Sequence, residues 1–351
     1  MPPVSDTKHK LNPMVPAFGP LPVAVIGCGR MGRLHCRFYS QMPQAKLVGV
    51  YDSSPEAAQD AAEEYKTKAF ANLDELLGQV AAATIAVPTT AHPEVARQCM
   101  NRGVACLIEK PLAKDVAGAR EIVEGGRKAG VTVQVGHIER FNPAIRAMSR
   151  LGFKPRFIEV NRISPLTFRS IDVGVVLDMM IHDIDIVLQL AQSKVSRIDA
   201  TGVSITGEAE DICNARLVFE NGCVANITAS RLALKTERKL RVFSTDAYVS
   251  VDYQKRYGIV AHRSGNVDAI RDAVAKIKSG EIQDLSDLNF ADLVTIQELQ
   301  IDDADPLRAE LEAFINAVKN RSDPEVPAED GLAAVEVATR IVQSIQTKKL
   351  A

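Results

Sequence analysis

Asp178 and His182 stand four residues apart in Val175-Val176-Leu177-Asp178-Met179-Met180-Ile181-His182-Asp183, a carboxylate and an imidazole in a largely apolar stretch. On a helix that spacing stacks the two side chains one turn apart, so the carboxylate can hold the imidazole while the ring exchanges a proton with a bound molecule. Alcohol oxidation needs such a proton acceptor. A second chemical segment lies near the start of the chain, in Val23-Ala24-Val25-Ile26-Gly27-Cys28-Gly29-Arg30-Met31-Gly32. Glycines that follow a buried strand and open a helix serve a tight turn, the close approach of a pyrophosphate, and close helix–strand packing. The next strand ends Val48-Gly49-Val50-Tyr51-Asp52, twenty residues beyond Gly32. A carboxylate there accepts a ribose 2'-hydroxyl and repels a 2'-phosphate, and Ser53-Ser54-Pro55 offer no basic side chain. The expected cofactor is NAD, held by Gly27, Cys28, Gly29, Arg30, Met31, Gly32 and Asp52. Together the two segments point to an oxidoreductase.

The strand Ala83–Val87 ends in Pro88-Thr89-Thr90-Ala91-His92-Pro93, at the sheet edge where ligands bind in open α/β folds. Val87, Pro88, Thr89, Thr90 and His92 are candidates to line the nicotinamide ribose, with loop and capping chemistry as the alternative. The strand Val104–Ile108 runs into Glu109-Lys110-Pro111. Proline steers Lys110 away from helical geometry, and an ammonium there can donate to a substrate hydroxyl and stabilise charge developing on its oxygen as hydride leaves.

The elements that must position these groups follow from the apolar pattern. From Leu21 to His137, short β-branched runs near Val23–Ile26, Lys46–Tyr51, Ala83–Val87, Val104–Ile108 and Val131–Val135 alternate with amphipathic stretches; this predicts a parallel sheet covered by helices on both faces. Gly103 and Gly130 each close a helical pattern before a strand. Beyond a helical stretch at Asn142–Leu151, period-2 strands near Phe157–Ile163, Ile198–Ser204, Asn214–Phe219, Val224–Ser230, Leu240–Ser244 and Tyr248–Tyr253 succeed one another without helices. The expected fold is an α/β N-terminal Rossmann domain with a doubly wound parallel sheet, followed by an α+β C-terminal domain with a large, mostly antiparallel sheet. Its expected divisions are a flexible extension over 1–21, an NAD-binding domain over 22–138 and a substrate-binding and oligomerisation domain over 139–351. Ser264–Asn289, with a helical pattern at Val267–Lys278, reads as an insertion between strands, and helices at Pro306–Lys319 and Ala328–Gln346 close the chain.

With 351 residues, 46% hydrophobic and 25% charged, the chain has ordinary globular composition. Its 42 basic and 44 acidic residues give a net charge of -2, no broad positive field for a phosphate backbone or an anionic membrane. No segment offers the ~18 apolar residues of a membrane helix, and no nucleic acid or membrane partner is expected. The six cysteines form no CxxC pair, which suits a reducing, cytoplasmic setting, and no metal site is expected. Six prolines among the first 22 residues, without a signal-length apolar run, read as an extension and not a secretion signal.

In the order and spacing of Gly27-Cys28-Gly29-Arg30-Met31-Gly32, Glu109-Lys110-Pro111, Val135-Gly136-His137, and Asp178 with His182, the chain resembles the glucose-fructose oxidoreductase and inositol dehydrogenase (Gfo/Idh/MocA) family over about residues 22–347. The resemblance implies that Lys110 belongs to the family's EKP motif and precedes a cis proline. It also implies that His182 is the general base, that Lys110 polarises the same oxygen, and that Asp178 holds substrate or orients the ring, with hydride passing to C4 of the nicotinamide. One departure is Asp172-Val173-Gly174-Val175-Val176 in place of the family's glycine-rich lead-in. The segments Val135–Pro143 and Arg169–Asp178 look like the branch containing UDP-N-acetylglucosamine 3-dehydrogenases. That branch makes a 3-keto nucleotide sugar which an aminotransferase converts to a diamino sugar, chemistry that belongs to lipopolysaccharide and lipid A synthesis. Candidate substrate residues are His137, Glu139, Arg140, Asn142, Arg162 and Arg169. The arginines suit a diphosphate, and Glu139 and Asn142 suit sugar hydroxyls or an acetamido group; salt bridging is the alternative for each arginine. Oxidation of a nucleotide-sugar uronate, or of a free sugar or polyol such as inositol, stays open. So does a non-catalytic NAD-binding sensor. The family likeness further implies a homodimer or homotetramer.

Overall fold

Parallel strands and covering helices alternate through the first part of the chain. The structure, a computed structural model, describes residues 14–166, 173–263, 267–281 and 294–349. In order come β1 (Leu21–Ile26), α1 (Arg30–Tyr39), β2 (Ala45–Tyr51), α2 (Pro55–Glu64), β3 (Lys68–Ala69), α3 (Leu73–Leu77), β4 (Ala82–Ile85), α4 (His92–Asn101), β5 (Ala105–Glu109), α5 (Val116–Ala129) and β6 (Val133–Gly136). The sheet order β3-β2-β1-β4-β5-β6 is that of doubly wound dinucleotide-binding folds, with its switch point beside β1. Tyr51, Ile26, Ile85, Ile108 and Val135 form one continuous row across five parallel strands. The loops carrying Gly27, Asp52, Val87, Lys110 and His137 therefore all leave the sheet at its carboxyl edge. Helix boundaries follow side-chain chemistry: Ser54 and Asp115 accept backbone N–H groups at the starts of α2 and α5, and Gly130 ends α5 in the left-handed region.

After a 3-10 turn at Ile138–Phe141, the chain forms α6 (Pro143–Ser149), β7 (Phe157–Ile163), a π-helical turn (Val176–Met180), α7 (Ile181–Ala191), β8 (Val195–Val203), β9 (Ile212–Phe219), β10 (Val224–Ser230), β11 (Glu237–Phe243), β12 (Ala247–Asp252), β13 (Tyr257–Arg263), α8 (Val267–Ser279) and β14 (Val294–Glu298). The eight strands pair in the order β14-β13-β12-β11-β7-β10-β9-β8. All pairings are antiparallel except β7 with β10. Of the insertion expected between strands, α8 lies between β13 and β14, and the rest of Ser264–Asn289 falls largely outside the described residues.

The last helices, α9 (Pro306–Asn320) and α10 (Ala328–Lys349), depart from the expected division at residue 138. The chain forms two compact units: residues up to 141 with 304–343, and 142–303 with the segment from 344 onward. Leu307, Leu311, Phe314, Ile315 and Val318 of α9 join the hydrophobic core built by β1, α1 and β5. Each such side chain contributes about 1.5–3 kcal/mol on burial, which is why α9 belongs to the first unit, while α10 is divided at residue 343. An amphipathic pattern announces that one helix face is buried but not which surface buries it.

At the β1–α1 turn, Gly27 has φ +96°, and a Cβ there would lie 2.5 Å from the Ala86 carbonyl oxygen. A Cβ on Gly32 would lie 1.8 Å from the carbonyl oxygen of Gly27, whereas one on Gly29 would meet nothing within 4 Å. The protein thus requires the first and third glycines, while the middle one faces open space. Gly32→Ala is expected to destabilise the NAD-free protein by about 2–4 kcal/mol and Gly29→Ala by less than about 0.5 kcal/mol in thermal unfolding.

Candidate active site

The first unit gathers one group of candidates at the carboxyl edge of its sheet. Gly29 and Arg30 are exposed at the opening of α1, where unsatisfied backbone N–H groups favour an anion. Asp52 ties this turn to β2, because its Oδ2 accepts the Cys28 N–H at 2.6 Å and its Oδ1 accepts the Ser54 N–H at 2.8 Å. Ser54, not Asp52, caps α2, so the carboxylate stands at the strand end beside the turn. Cys28 contributes backbone only: burial, with the Asp52 carboxylate adding to it, pushes its thiol up to about 11. An open cradle at Gly29 and an acidic group at the end of β2 fit NAD.

Val87 and Thr89, both partly exposed, and the exposed Pro88 line the exit from β4. His92 does not join them. Its ring is buried, with Nε2 3.0 Å from the Val87 carbonyl oxygen and Nδ1 3.1 and 3.2 Å from those of Pro111 and Leu112. Burial holds the ring below its ordinary pKa despite these carbonyls. His92 therefore clamps the end of β4 to the turn after Lys110, and its nitrogens are taken up by the protein. That turn contains the cis Lys110–Pro111 peptide, and Lys110 is half-buried.

Glu109 is buried beneath Lys110. Its Oε1 accepts from His35 Nε2 at 2.9 Å, and its Oε2 faces the Lys110 backbone N–H at 3.3 Å. Burial works to raise its pKa, but the His35 hydrogen bond and the charges of His35 and Lys110 outweigh it, leaving the carboxyl below the ordinary value. His137 and Glu139 are buried at the end of β6 and in the following 3-10 turn. Arg140 is paired with Asp330 at 2.7 Å, the salt bridge that was the alternative for this residue.

The second unit carries the other group. Asp178 and His182 both line a cavity of about 180 Å³ with Arg162, Ile163, Ser164, Pro165, Met179, Arg231 and Arg238. The expected helix around the pair is partly a π-helix: Asp178 lies in the π turn and His182 in α7. Such turns change which side chains stack and are frequent at functional sites. Arg162 engages Asp183 through two contacts of 2.7 and 2.9 Å, and Tyr253 Oη donates to Asp183 at 2.6 Å. Asp183 is thus the anchor of Arg162. Asn142 is the N-cap of α6, accepting from the Ala144 N–H and donating to the Tyr253 carbonyl, so its amide serves the fold. Arg169 lies outside the described residues.

Arg231 and Arg238 escaped the sequence reading because they follow or sit within strands and belong to no local motif. Arg231 is buried, donates to Asp211 at 2.7 Å and reaches the Val173 carbonyl at 2.9 Å. Glu210 accepts the Val176 N–H through its side chain and the Val175 N–H through its backbone. A Cβ on Gly174 would lie 2.1 Å from Glu210 Oε1, which explains the glycine in the atypical lead-in. These contacts fix where the π turn begins, and hence where Asp178 stands.

Residues 21–137 match the Gfo/Idh/MocA model of an oxidoreductase family with an NAD-binding Rossmann fold, and residues 167–351 match that family's C-terminal alpha/beta domain. UDP-N-acetylglucosamine 3-dehydrogenase from Acidithiobacillus ferrooxidans is 34% identical over 84% of this chain and 87% of its own. The solved structure of that enzyme superposes with a TM-score of 0.82 at 30% identity, covering 93% of this chain and 98% of the other. Inositol 2-dehydrogenase from Rhizobium meliloti is 24% identical over 93% of this chain and 97% of its own. Levoglucosan dehydrogenase, solved with NADH and levoglucosan, shares the fold at TM-score 0.77 and 18% identity, covering 93% and 97%.

Asp211 sits in a basic and hydrogen-bonded pocket. Burial acts to raise its pKa, but the Thr206 and Ile205 N–H groups, the Thr206 hydroxyl and Arg231 together hold it well below the ordinary carboxylate range. A depressed carboxyl stabilises the fold above its unfolded-state value of 3.8 and loses that contribution as pH falls below it. Asp211→Asn should therefore lower stability by about 3 kcal/mol at pH 7, with the gap to the native protein narrowing in chemical denaturation below pH 4.

Proposed function

The chain belongs to the Gfo/Idh/MocA oxidoreductase family, and on that premise we propose that it oxidises the 3-hydroxyl of a UDP-N-acetylhexosamine with NAD. NAD held at the Gly27–Gly32 turn supplies the hydride acceptor. His182 takes the hydroxyl proton, Asp178 orients its ring or holds the sugar, and Lys110 donates to the oxygen on which negative charge develops. Glu109, Val87, Pro88 and Thr89 shape the nicotinamide end of the site.

The observation that carries the substrate class is the cavity holding Asp178 and His182 together with three arginines. Arg162 and Arg231 are held by Asp183 and Asp211, and the guanidinium groups that line the cavity, the exposed Arg238 among them, suit a diphosphate. At about 180 Å³ the cavity falls below the roughly 300–1,000 Å³ of drug-sized sites, a size suited to one sugar ring and not to a whole nucleotide sugar. The likeness to the Acidithiobacillus ferrooxidans enzyme supports the same reading. The 3-keto product would be the substrate of an aminotransferase supplying diamino sugars for lipid A. Six free, buried cysteines support a reducing, cytoplasmic setting, and no described helix is long and apolar enough to cross a membrane.

NAD reduction is expected with UDP-N-acetylglucosamine and not with its uronate or myo-inositol; activity with inositol alone would overturn the substrate assignment in favour of the polyol reading that the inositol dehydrogenase likeness supports. Lys110→Ala and His182→Ala should each lower kcat by ~10²–10⁴. Full turnover in both would remove the acid-base roles. NAD binding with no turnover on any sugar would favour a sensor.

Assembly as a homodimer or homotetramer is supported by one row of the second sheet. Val218, Val224, Phe157, Phe243, Tyr248, Ala261 and Ile296 are register partners across seven strands, and each is at least partly exposed. Phe157, Phe243 and Tyr248 stack along it at 5.7 and 4.9 Å. A contiguous apolar stripe of this kind marks an interaction surface. Phe243→Glu with Tyr248→Glu should shift the protein to monomer in analytical ultracentrifugation; an unchanged oligomer would place the interface elsewhere.

A further inference from the structure

His35, Glu109 and Glu310 bring three titratable groups together inside the first unit, from α1, the end of β5 and α9. Their nearest ligand-capable atoms all lie within 4.8 Å of one another. His35 and Glu310 are fully buried. Neither side-chain oxygen of Glu310 has a hydrogen-bond partner within the protein, although its backbone carbonyl accepts from Gln134 Nε2 at 3.2 Å. Tyr39 of α1 faces the same region, its hydroxyl held 3.0 Å from Thr84 Oγ1, and Lys110 lies beyond Glu109. The charges that act on Glu109 are those of His35 and Lys110, and the charge that acts on Glu310 is that of Glu109; β4 and β6 bring Thr84 and Gln134 to the same region.

Two carboxylates this close in a water-poor interior cannot both ionise without large cost. Glu109 has compensation, from the His35 hydrogen bond and from Lys110. Glu310 has none. We propose that His35 and Glu310 are positioning residues for Lys110: with Glu310 uncharged, they hold Glu109 as a single buried counter-charge at the base of the EKP turn. His35 fixes Oε1 of Glu109 by donating from Nε2. Glu310, as a neutral acid, places no second charge beside that carboxylate. Burial and the Glu109 charge, which push Glu310 well above the ordinary carboxylate range, agree with this geometry. A divalent cation bound by the same three side chains would offset both carboxylate charges instead, so the two arrangements must be told apart by experiment.

The effect on Lys110 rests on its proposed part in hydride transfer; the protonation of Glu310 does not. The first measurement is thermal unfolding of the full-length protein and of Glu310→Gln between pH 6 and 8. An acid whose folded pKa is raised binds more protons folded than unfolded, so its stabilising contribution fades as pH rises. Relative to Glu310→Gln, the wild-type folding equilibrium constant should fall by about ten-fold per pH unit. A flat or opposite difference means that Glu310 is ionised and overturns the proposal. So does an equivalent of zinc, iron or manganese that accompanies the purified wild type and is lost in Glu310→Gln.

The second measurement is the pH profile of kcat on the sugar that the enzyme turns over. His35→Ala and Glu310→Ala should lower kcat about ten-fold, with smaller changes in KM, and move the alkaline limb to lower pH. Glu310→Gln should restore most of the loss. Should His35→Ala fail to fold, His35→Gln replaces it. Unmoved profiles in soluble, folded variants, or no rescue by Gln, overturn the positioning role even where the unfolding result holds.

Discussion

In-register parallel pairing in the first sheet is the constraint on which the remaining architecture depends. Tyr51, Ile26, Ile85, Ile108 and Val135 occupy a single row, so the residues that follow them emerge together from one edge. A glycine turn, an acidic strand end, a lysine before a cis proline and a histidine become neighbours for that reason alone, although residue 27 and residue 137 are far apart in the chain. Packing then fixes the details. Gly27 and Gly32 are set by backbone atoms within 2.5 and 1.8 Å of where a Cβ would stand, and His92 ties two adjacent loops through three carbonyl oxygens.

The second unit uses a different device. Its cavity is lined by ion pairs whose acidic partners lie behind it: Asp183 holds Arg162, and Asp211 holds Arg231. A buried guanidinium without a carboxylate would be strongly destabilising, so these pairs let basic side chains line a small cavity without loss of the fold. Glu210 adds a backbone restraint by accepting two consecutive N–H groups at the entry to the π turn. The position of Asp178 is therefore the consequence of contacts made some thirty residues later in sequence.

That distance accounts for what was and was not legible in the sequence. The Rossmann elements were readable because their signals are local: a buried β-branched run, a glycine turn, an acid at a strand end, a glycine closing a helix. The cis proline and the lysine turn were readable through a family resemblance, and the inserted helix through its periodicity. The two-residue β3 and the strands β13 and β14 went unread, being short or flanked by polar insertion. Arg231, Arg238 and Glu210 carry no local signature, since their roles come from strand register and long-range pairing. His92 and Asn142 were misplaced for the same reason: a loop histidine or asparagine looks available until the carbonyls and N–H groups around it are known. The alliance of α9 with the first core depended on surfaces that no helical pattern specifies.

Buried charge separates scaffold from chemistry in this chain. Arg162 and Arg231 each meet a dedicated carboxylate, and His92 meets three carbonyl oxygens; these groups are satisfied by the fold itself. Glu310 differs, being fully buried with both side-chain oxygens facing no protein donor. A helix that buries Leu311, Phe314 and Ile315 in the same core could bury a leucine at that position with greater stability, since an apolar side chain carries no desolvation penalty. The acid is placed instead beside a carboxylate, one residue from the lysine at the sheet's carboxyl edge. Stability alone does not select such a residue there. The arrangement follows if the charge on Glu109 has to be held at one and kept in place.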